Sequence, residues 1–181
     1  MQLVDKHSGI LAAGMAMAAC SGAAAGARGG GGGTAATARP TATLAGSWTL
    51  VAADDQRPDG TRVRAYGDAP EGLFIVDADG RYSLQIFRTD RAGFASGSKL
   101  AATPDEYRAA VLGISTHIGH CAIDPGGATL TFRIERAAFP NWEGTTQVRR
   151  FTLTGDELEY QQPQPAPGAA IPITVWRRVR S

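Results

Sequence analysis

The sequence predicts an all-β domain whose antiparallel strands form a meander, closed as a barrel or packed as a sandwich. Short β-favouring runs recur along residues 44–181 and are separated by turn signals rich in Asp, Pro and Gly. Apolar and polar residues alternate within the runs: in residues 128–135, Leu130, Phe132 and Ile134 fall on one face. We expect that face to point into the protein. One helix signal interrupts the strands.

Nine strands are predicted from these runs. The clearest turns between them lie at residues 57–60, 77–80, 124–127 and 154–156. The predicted strands span residues 44–53, 61–66, 72–76, 81–87, 115–123, 128–135, 145–153, 157–161 and 171–179. In the seventh run, Gln147 and Arg149 share a face with Phe151, so an amide and a guanidinium point inward if that face is interior.

A short helix is predicted between the fourth and fifth strands. Thr103 is placed as its N-cap, Pro104 occupies the first helical position and Glu106 follows three residues after the cap. An apolar face then follows helical spacing through Tyr107, Ala110, Val111 and Ile114. The helix can pack over a barrel mouth or against the outer wall, and the sequence leaves both open.

The first 43 residues differ in composition from the rest, because 22 of them are Gly or Ala. Residues 1–20 are predicted to be a signal peptide, with Lys6 in a positive n-region and an uncharged stretch over residues 9–19. Residues 21–43 form a flexible Gly/Ala-rich linker with little to bury, and residues 44–181 form the barrel domain.

The stretch ends at Cys20 in the sequence Met-Ala-Ala-Cys, which resembles a bacterial lipobox. Lipidation of Cys20, plain cleavage of the signal and a low-complexity leader that is neither remain open. We expect an exported protein, either a periplasmic or outer-membrane lipoprotein or a secreted one. Membrane contact is expected only through a lipid anchor.

Composition excludes several classes of protein. Residues 44–181 carry 15 basic and 16 acidic residues, and this balance argues against a nucleic-acid partner. No apolar run approaches the roughly 18 residues of a membrane-spanning helix. Two cysteines are too few for a disulfide-built scaffold. No cofactor is expected.

The motif Gly46-Ser47-Trp48 matches the G-x-W of lipocalins and other calycin barrels. Further segments follow in one order along the chain: 57–61, 79–85, 94–97, 103–110, 139–145 and 147–151. Together they resemble the bacterial and fungal lipocalin-like domain family over residues 44–181. The resemblance implies a closed antiparallel barrel with an internal cavity, in which Trp48 packs at the closed end under Arg177 or Arg178. It implies no activity, because a fold does not specify a function.

Two polar residues are the first candidates for ligand contact. Arg149 and Gln147 are suited to a carboxylate or carbonyl on an otherwise apolar ligand, because a buried arginine requires an acceptor. Alternatively, Arg149 pairs with an internal Asp or Glu, or extends to the barrel mouth.

Five further residues complete the predicted binding set. Phe132 is expected inside the barrel, Tyr82 either inside or on the surface, and His117 inside as a polar lining residue or a general base. Phe139 and Trp142 lie in a loop between strands, where they form a lid or ordinary packing.

Metal binding and hydrolase chemistry are not expected. His117 and His120 fall on opposite faces of a strand, and His117 and Cys121 lie roughly 13 Å apart along it. No G-x-S-x-G motif is present, and Cys121 is expected to be buried and inert. We assign no catalytic residue.

Three functions remain open. The first is a barrel that binds a small hydrophobic or amphipathic molecule without catalysis. The second is an isomerase or cyclase acting on a small hydrophobic substrate, and the third is a non-catalytic envelope scaffold. The volume and lining of the barrel interior distinguish them best.

Overall fold

The computed structural model describes residues 44–163 and 166–180. The predicted signal peptide, the linker and Cys20 lie outside the described residues. No helix in the described ranges has the length and apolar character needed to span a bilayer.

Nine strands, one α-helix and a short 3₁₀ turn make up the described part of the chain, and each strand lies within a few residues of its prediction. The strands are β1 Gly46–Gln56, β2 Arg62–Arg64, β3 Glu71–Val76, β4 Arg81–Phe87, β5 Ile114–Ile123, β6 Thr129–Ala137, β7 Thr146–Thr154, β8 Glu157–Gln161 and β9 Ile171–Arg178. The helix α1 spans Pro104–Leu112 and the 3₁₀ turn spans Pro140–Trp142.

The strands form a closed antiparallel barrel. The sheet order is β2-β1-β3-β4-β5-β6-β7-β8-β9, and β1 also pairs with β9, so β1 and β3 to β9 form an eight-stranded ring. The short β2 pairs only with residues 54–56 at the end of β1. The prediction of an all-β domain with one short helix is confirmed. Of the two predicted arrangements, the strands form a closed barrel and not a sandwich.

One end of the barrel is closed by Trp48 and the last strand. Arg178 Cζ lies 4.0 Å from the Trp48 ring centroid, and its Nη1 donates to the carbonyl of Ala45 at 2.7 Å. The Trp48 indole is fully buried and donates to the carbonyl of Leu44 at 2.9 Å. The first and last strands are therefore joined by side chains as well as by backbone pairing.

Of the two arginines expected over Trp48, Arg178 occupies this position and Arg177 does not. Register explains the difference, because Trp48 lies opposite Arg178 and Thr49 lies opposite Arg177. Successive residues of a strand point to opposite faces, so Arg177 points outward. There its Nη2 lies 3.6 Å from the Glu157 carboxylate.

Helix α1 lies in the β4–β5 connection and is held mainly by its cap. Glu106 N–H donates to Thr103 Oγ1 at 3.3 Å, and Thr103 N–H donates to the Glu106 carboxylate at 2.7 Å. Tyr107 packs edge-on against Phe94, with ring centroids 5.6 Å apart. No residue of α1 is buried, so the helix lies outside the core.

Candidate functional site

The barrel interior is lined by a continuous series of rings. Trp176 contacts Phe74 at 5.6 Å between centroids, and Phe74 contacts Phe132 at 6.0 Å. Phe132 then contacts Tyr82 at 5.1 Å, and Tyr82 contacts His117 at 5.3 Å. Side chains therefore fill this part of the lumen, and Tyr82 and His117 are part of the packed series.

Tyr82 and His117 form a buried hydrogen bond in the lumen. The Tyr82 hydroxyl lies 2.7 Å from His117 Nδ1, and the two side chains are 5% and 8% exposed. Burial, and to a lesser degree the Arg149 charge, lowers the pKa of His117 to about 4. Burial raises the pKa of Tyr82. The imidazole is therefore neutral and the phenol protonated near pH 7.

A glycine beside this pair lets β5 approach β6 closely. Gly119 lies opposite Tyr82, next to a register shift between β5 and β6. A Cβ atom at Gly119 would lie 2.0 Å from the carbonyl oxygen of Arg133, so no other residue fits without backbone movement. The irregular β5–β6 pairing thus depends on this glycine.

Arg149 points into the lumen from β7. It is partly buried, and burial lowers its pKa. One guanidinium nitrogen donates to Gln147 Oε1 and another to the carbonyl of Val148 at 3.0 Å. Within residues 44–163 and 166–180, no carboxylate oxygen lies within 4.0 Å of it. The alternative in which Arg149 pairs with an internal Asp or Glu is therefore not observed in these ranges.

Trp142 and Phe139 lie in the β6–β7 connection at the open end. Trp142 packs edge-on against His117 with centroids 6.0 Å apart, and Phe139 packs on Trp142 at 5.6 Å. Trp142 is half-buried, whereas Phe139 is 51% exposed. Trp142 therefore covers the His117 side of the mouth, and Phe139 stands outside it.

Sequence reasoning missed two interior residues next to Arg149. Tyr160 lies on β8, and burial raises its pKa to about 12. Trp176 is fully buried, and its Nε1 makes no hydrogen bond of good geometry in the described residues, although the Tyr160 hydroxyl is near it. Alternation with Leu158 in the sequence was a usable signal for Tyr160, since both face inward.

A groove of about 600 Å³ lies across β6, β7 and β8. Its lining combines the outward-facing Thr129, Arg150, Thr152, Glu159 and Gln161 with Ala128 and the inward-facing Phe151 and Tyr160. It is broadly open, it carries opposite charges on neighbouring strands and it contains none of the predicted binding residues. It therefore provides no argument for a specific site.

The histidines and the cysteine of β5 lie in different surroundings. His117 faces the lumen, whereas His120 faces outward, where its Nδ1 lies 3.1 Å from Glu135. No group of three or more His, Cys, Asp or Glu residues suited to a metal occurs in the part of the chain that the structure describes. Cys121 is buried, and burial raises the pKa of its thiol to about 12.

Comparison with known proteins identifies the domain. A family model described as a lipocalin-like domain matches residues 45–179, which is well over half of the chain. The match covers every strand of the barrel in full, and it includes both Trp48 and Arg178. No curated protein matches the chain.

Proposed function

The chain belongs to the lipocalin-like domain family, and from this we propose that its barrel binds one small hydrophobic or amphipathic molecule in the open half of the lumen. Eight-stranded barrels are about the size that either fills with side chains or holds one small ligand. Here packed rings already occupy the part of the lumen around Phe74. We therefore propose that the ligand lies near the mouth.

The observation that carries this proposal is the unpaired charge of Arg149. A partly buried guanidinium has five N–H donors, and those described here reach only one amide oxygen and one backbone carbonyl. Removing a cation from water is costly unless acceptors replace the water. An acceptor group on a bound molecule would supply that compensation.

The neighbouring aromatic rings support an amphipathic ligand over a fully polar one. Trp142, which is only half-buried, offers apolar surface at the mouth, and the buried rings of Phe132 and Tyr82 pack against His117 beneath it. Ligand sites are commonly apolar walls with a few polar groups that fix orientation. The apolar part of the ligand would lie against the rings and its polar end against Arg149.

Paired arginine variants test the proposal. Arg149 points inward and its neighbour Arg150 outward, so Arg149→Gln and Arg150→Gln make the same chemical change on opposite faces of β7. We expect Arg149→Gln to weaken binding of a dansyl-labelled undecanoic acid by about tenfold or more, because a charge-assisted hydrogen bond is lost. Arg150→Gln should bind as the wild type does.

Fluorescence titration measures both affinities, and native mass spectrometry of protein made in its own host detects a retained ligand. Equal loss in both variants would show that the effect is general electrostatics and not a lumen contact. If the probe does not bind and no ligand is retained, the binding proposal is wrong and the scaffold role gains support.

A second candidate, an isomerase or cyclase, is favoured by the Tyr82–His117 hydrogen bond in the lumen. A neutral imidazole beside a phenol and a guanidinium can move a proton on a bound molecule. The test is incubation with small-molecule extracts of the host, followed by mass spectrometry for products of unchanged mass. Products that form with the wild type but not with His117→Gln support the enzyme.

The proposal includes export, on the strength of the sequence of residues 1–20. Protein isolated from its own host should lack this segment. A mass increase on Cys20 corresponding to acyl chains would identify a lipoprotein, and an unmodified, shortened chain would identify a periplasmic or secreted protein. A full-length chain in the cytoplasm would contradict export.

A further inference from the structure

The direction of the Tyr82–His117 hydrogen bond follows from the surroundings of the hydroxyl. Tyr82 is buried, and His117 Nδ1 at 2.7 Å is its hydrogen-bond partner among the described residues. If the hydroxyl accepted a proton from Nδ1, its own proton would be left without an acceptor, which is unfavourable in a buried position. The hydroxyl therefore donates to Nδ1.

This assignment determines where the imidazole carries its proton. A neutral histidine protonates only one ring nitrogen, and with Nδ1 accepting, the proton lies on Nε2. The low pKa of His117 is consistent with a neutral ring. His117 therefore offers an N–H donor at Nε2, and the described residues give this atom no hydrogen-bond partner.

Arg149 orients the Gln147 amide in a comparable way. A guanidinium can only donate, so the atom of Gln147 that faces it is the oxygen. The Gln147 amide NH₂ is thereby directed away from Arg149 with both of its donors available. Gln147, Arg149 and His117 thus present N–H donors, while the acceptor atoms Gln147 Oε1 and His117 Nδ1 already accept hydrogen bonds from Arg149 and Tyr82.

The three donors share one region of the lumen. Gln147 lies directly opposite Phe132 in the β6–β7 pairing, and the Phe132 ring is 5.7 Å from the His117 ring. Arg149 is close enough to His117 for its charge to contribute to the lowered pKa of the imidazole. Trp142 covers the same region from the mouth.

We propose that Tyr82 holds His117 in the Nε2–H tautomer, and that His117, Gln147 and Arg149 together bind the carboxylate group of an organic acid. This inference rests on the proposed binding function and specifies its ligand class. A carboxylate brings two acceptor oxygens and one negative charge, which matches a set of donors that contains one cation. An amine is repelled by Arg149, and a neutral amide brings one acceptor and unwanted donors. Tyr82 is a positioning residue, since it acts through His117.

Three probes with the same alkyl chain test the ligand class: decanoic acid, decanamide and decylamine. Calorimetric titration of the full-length protein should show the acid binding about tenfold or more tighter than the amide, because the charge-assisted bonds are lost with the amide. The amine should bind least. Equal affinities for acid and amide would overturn the carboxylate assignment while leaving the binding function intact.

Tyr82→Phe tests the positioning role. Without the hydroxyl, His117 can move its proton to Nδ1 and accept from an amide at Nε2, so the preference for acid over amide should fall. Tyr66→Phe is the matched control, because it removes a partly buried hydroxyl at another site and should keep the preference. An unchanged preference in Tyr82→Phe would exclude the positioning role.

Proton–nitrogen NMR correlation of the histidine rings provides a readout that does not depend on any ligand. The His117 signals, identified by their loss in His117→Gln, should have the pattern of an Nε2–H tautomer in the wild type and of a mixture in Tyr82→Phe. An Nδ1–H pattern in the wild type would overturn the tautomer assignment. If the tautomer is as proposed but no probe binds, the binding function fails and the carboxylate site fails with it.

Discussion

His117 is an interior residue whose charge state just below neutral pH differs between the folded and the unfolded chain. Its pKa is lowered from 6.5 to about 4 in the folded protein, mainly by burial. Between these pH values the unfolded chain binds a proton that the folded chain does not. The free energy of unfolding should therefore fall as the pH drops through this window, and His117 contributes at most about 3 kcal/mol to that fall.

Urea unfolding at about pH 7 and about pH 5 measures this contribution. His117→Gln should lose less stability on acidification than the wild type, because glutamine does not titrate. His120→Gln is the control, since His120 lies on the outer face beside Glu135. If the acid sensitivity of His117→Gln equals that of the wild type, His117 does not bury a neutral imidazole.

At the scale of elements, α1 is held by its N-cap and not by the core. No residue of the helix is buried, and the capping box joins Thr103 to Glu106 by three hydrogen bonds. Thr103→Ala should destabilise the helix by about 1 kcal/mol. Because the barrel gains little from the helix, amide hydrogen exchange should rise in residues 104–112 and stay unchanged in β4 and β5.

Mass-spectrometric hydrogen exchange resolves the two regions. Thr116→Ala serves as a control, because it removes the same hydroxyl from a strand position and leaves the cap intact. A uniform rise in exchange over the barrel strands of Thr103→Ala would mean that α1 folds as one unit with the sheet.

Turn chemistry explains why the strands were predictable. Asp77 and Asp124 each accept backbone N–H groups inside the turns that they begin, so local sequence alone marks the ends of β3 to β6. Alternation likewise placed Phe132 and Arg149 on inward faces. Both signals depend on residues that are close in the chain.

Long-range register was beyond these local signals. A bulge between Leu50 and Ala52 shifts the pairing of β1 with β9 by one residue, and one residue decides which of Arg177 and Arg178 faces Trp48. The contacts of Tyr82 depend in the same way on the register of β5 against β4. The sequence identified Tyr82 and His117 as candidate residues. Only the folded barrel shows that they contact each other and that side chains fill the lumen near the closed end.

For the whole molecule, closure of the barrel depends on the β1–β9 pairing, to which Arg178 adds contacts at one end. Its guanidinium covers Trp48, donates to the carbonyl of Ala45 and lies 4.0 Å from Asp156. These contacts join the first and last strands of the described chain. Their loss should therefore destabilise the whole eight-stranded barrel. Arg178→Met should lower the free energy of unfolding by about 1–3 kcal/mol.

Arg177→Met is the matched control, because it removes the same charge one residue earlier and from the outer face. Its side chain is 62% exposed and its contact with Glu157 is a surface ion pair, so the change should stay within about 0.5 kcal/mol. Chemical denaturation followed by tryptophan fluorescence measures the free energy of unfolding of both variants, since Trp48 and Trp176 are fully buried. Similar losses in the two variants would assign the effect to net charge, whereas a loss confined to Arg178→Met means that the inward contact closes the barrel.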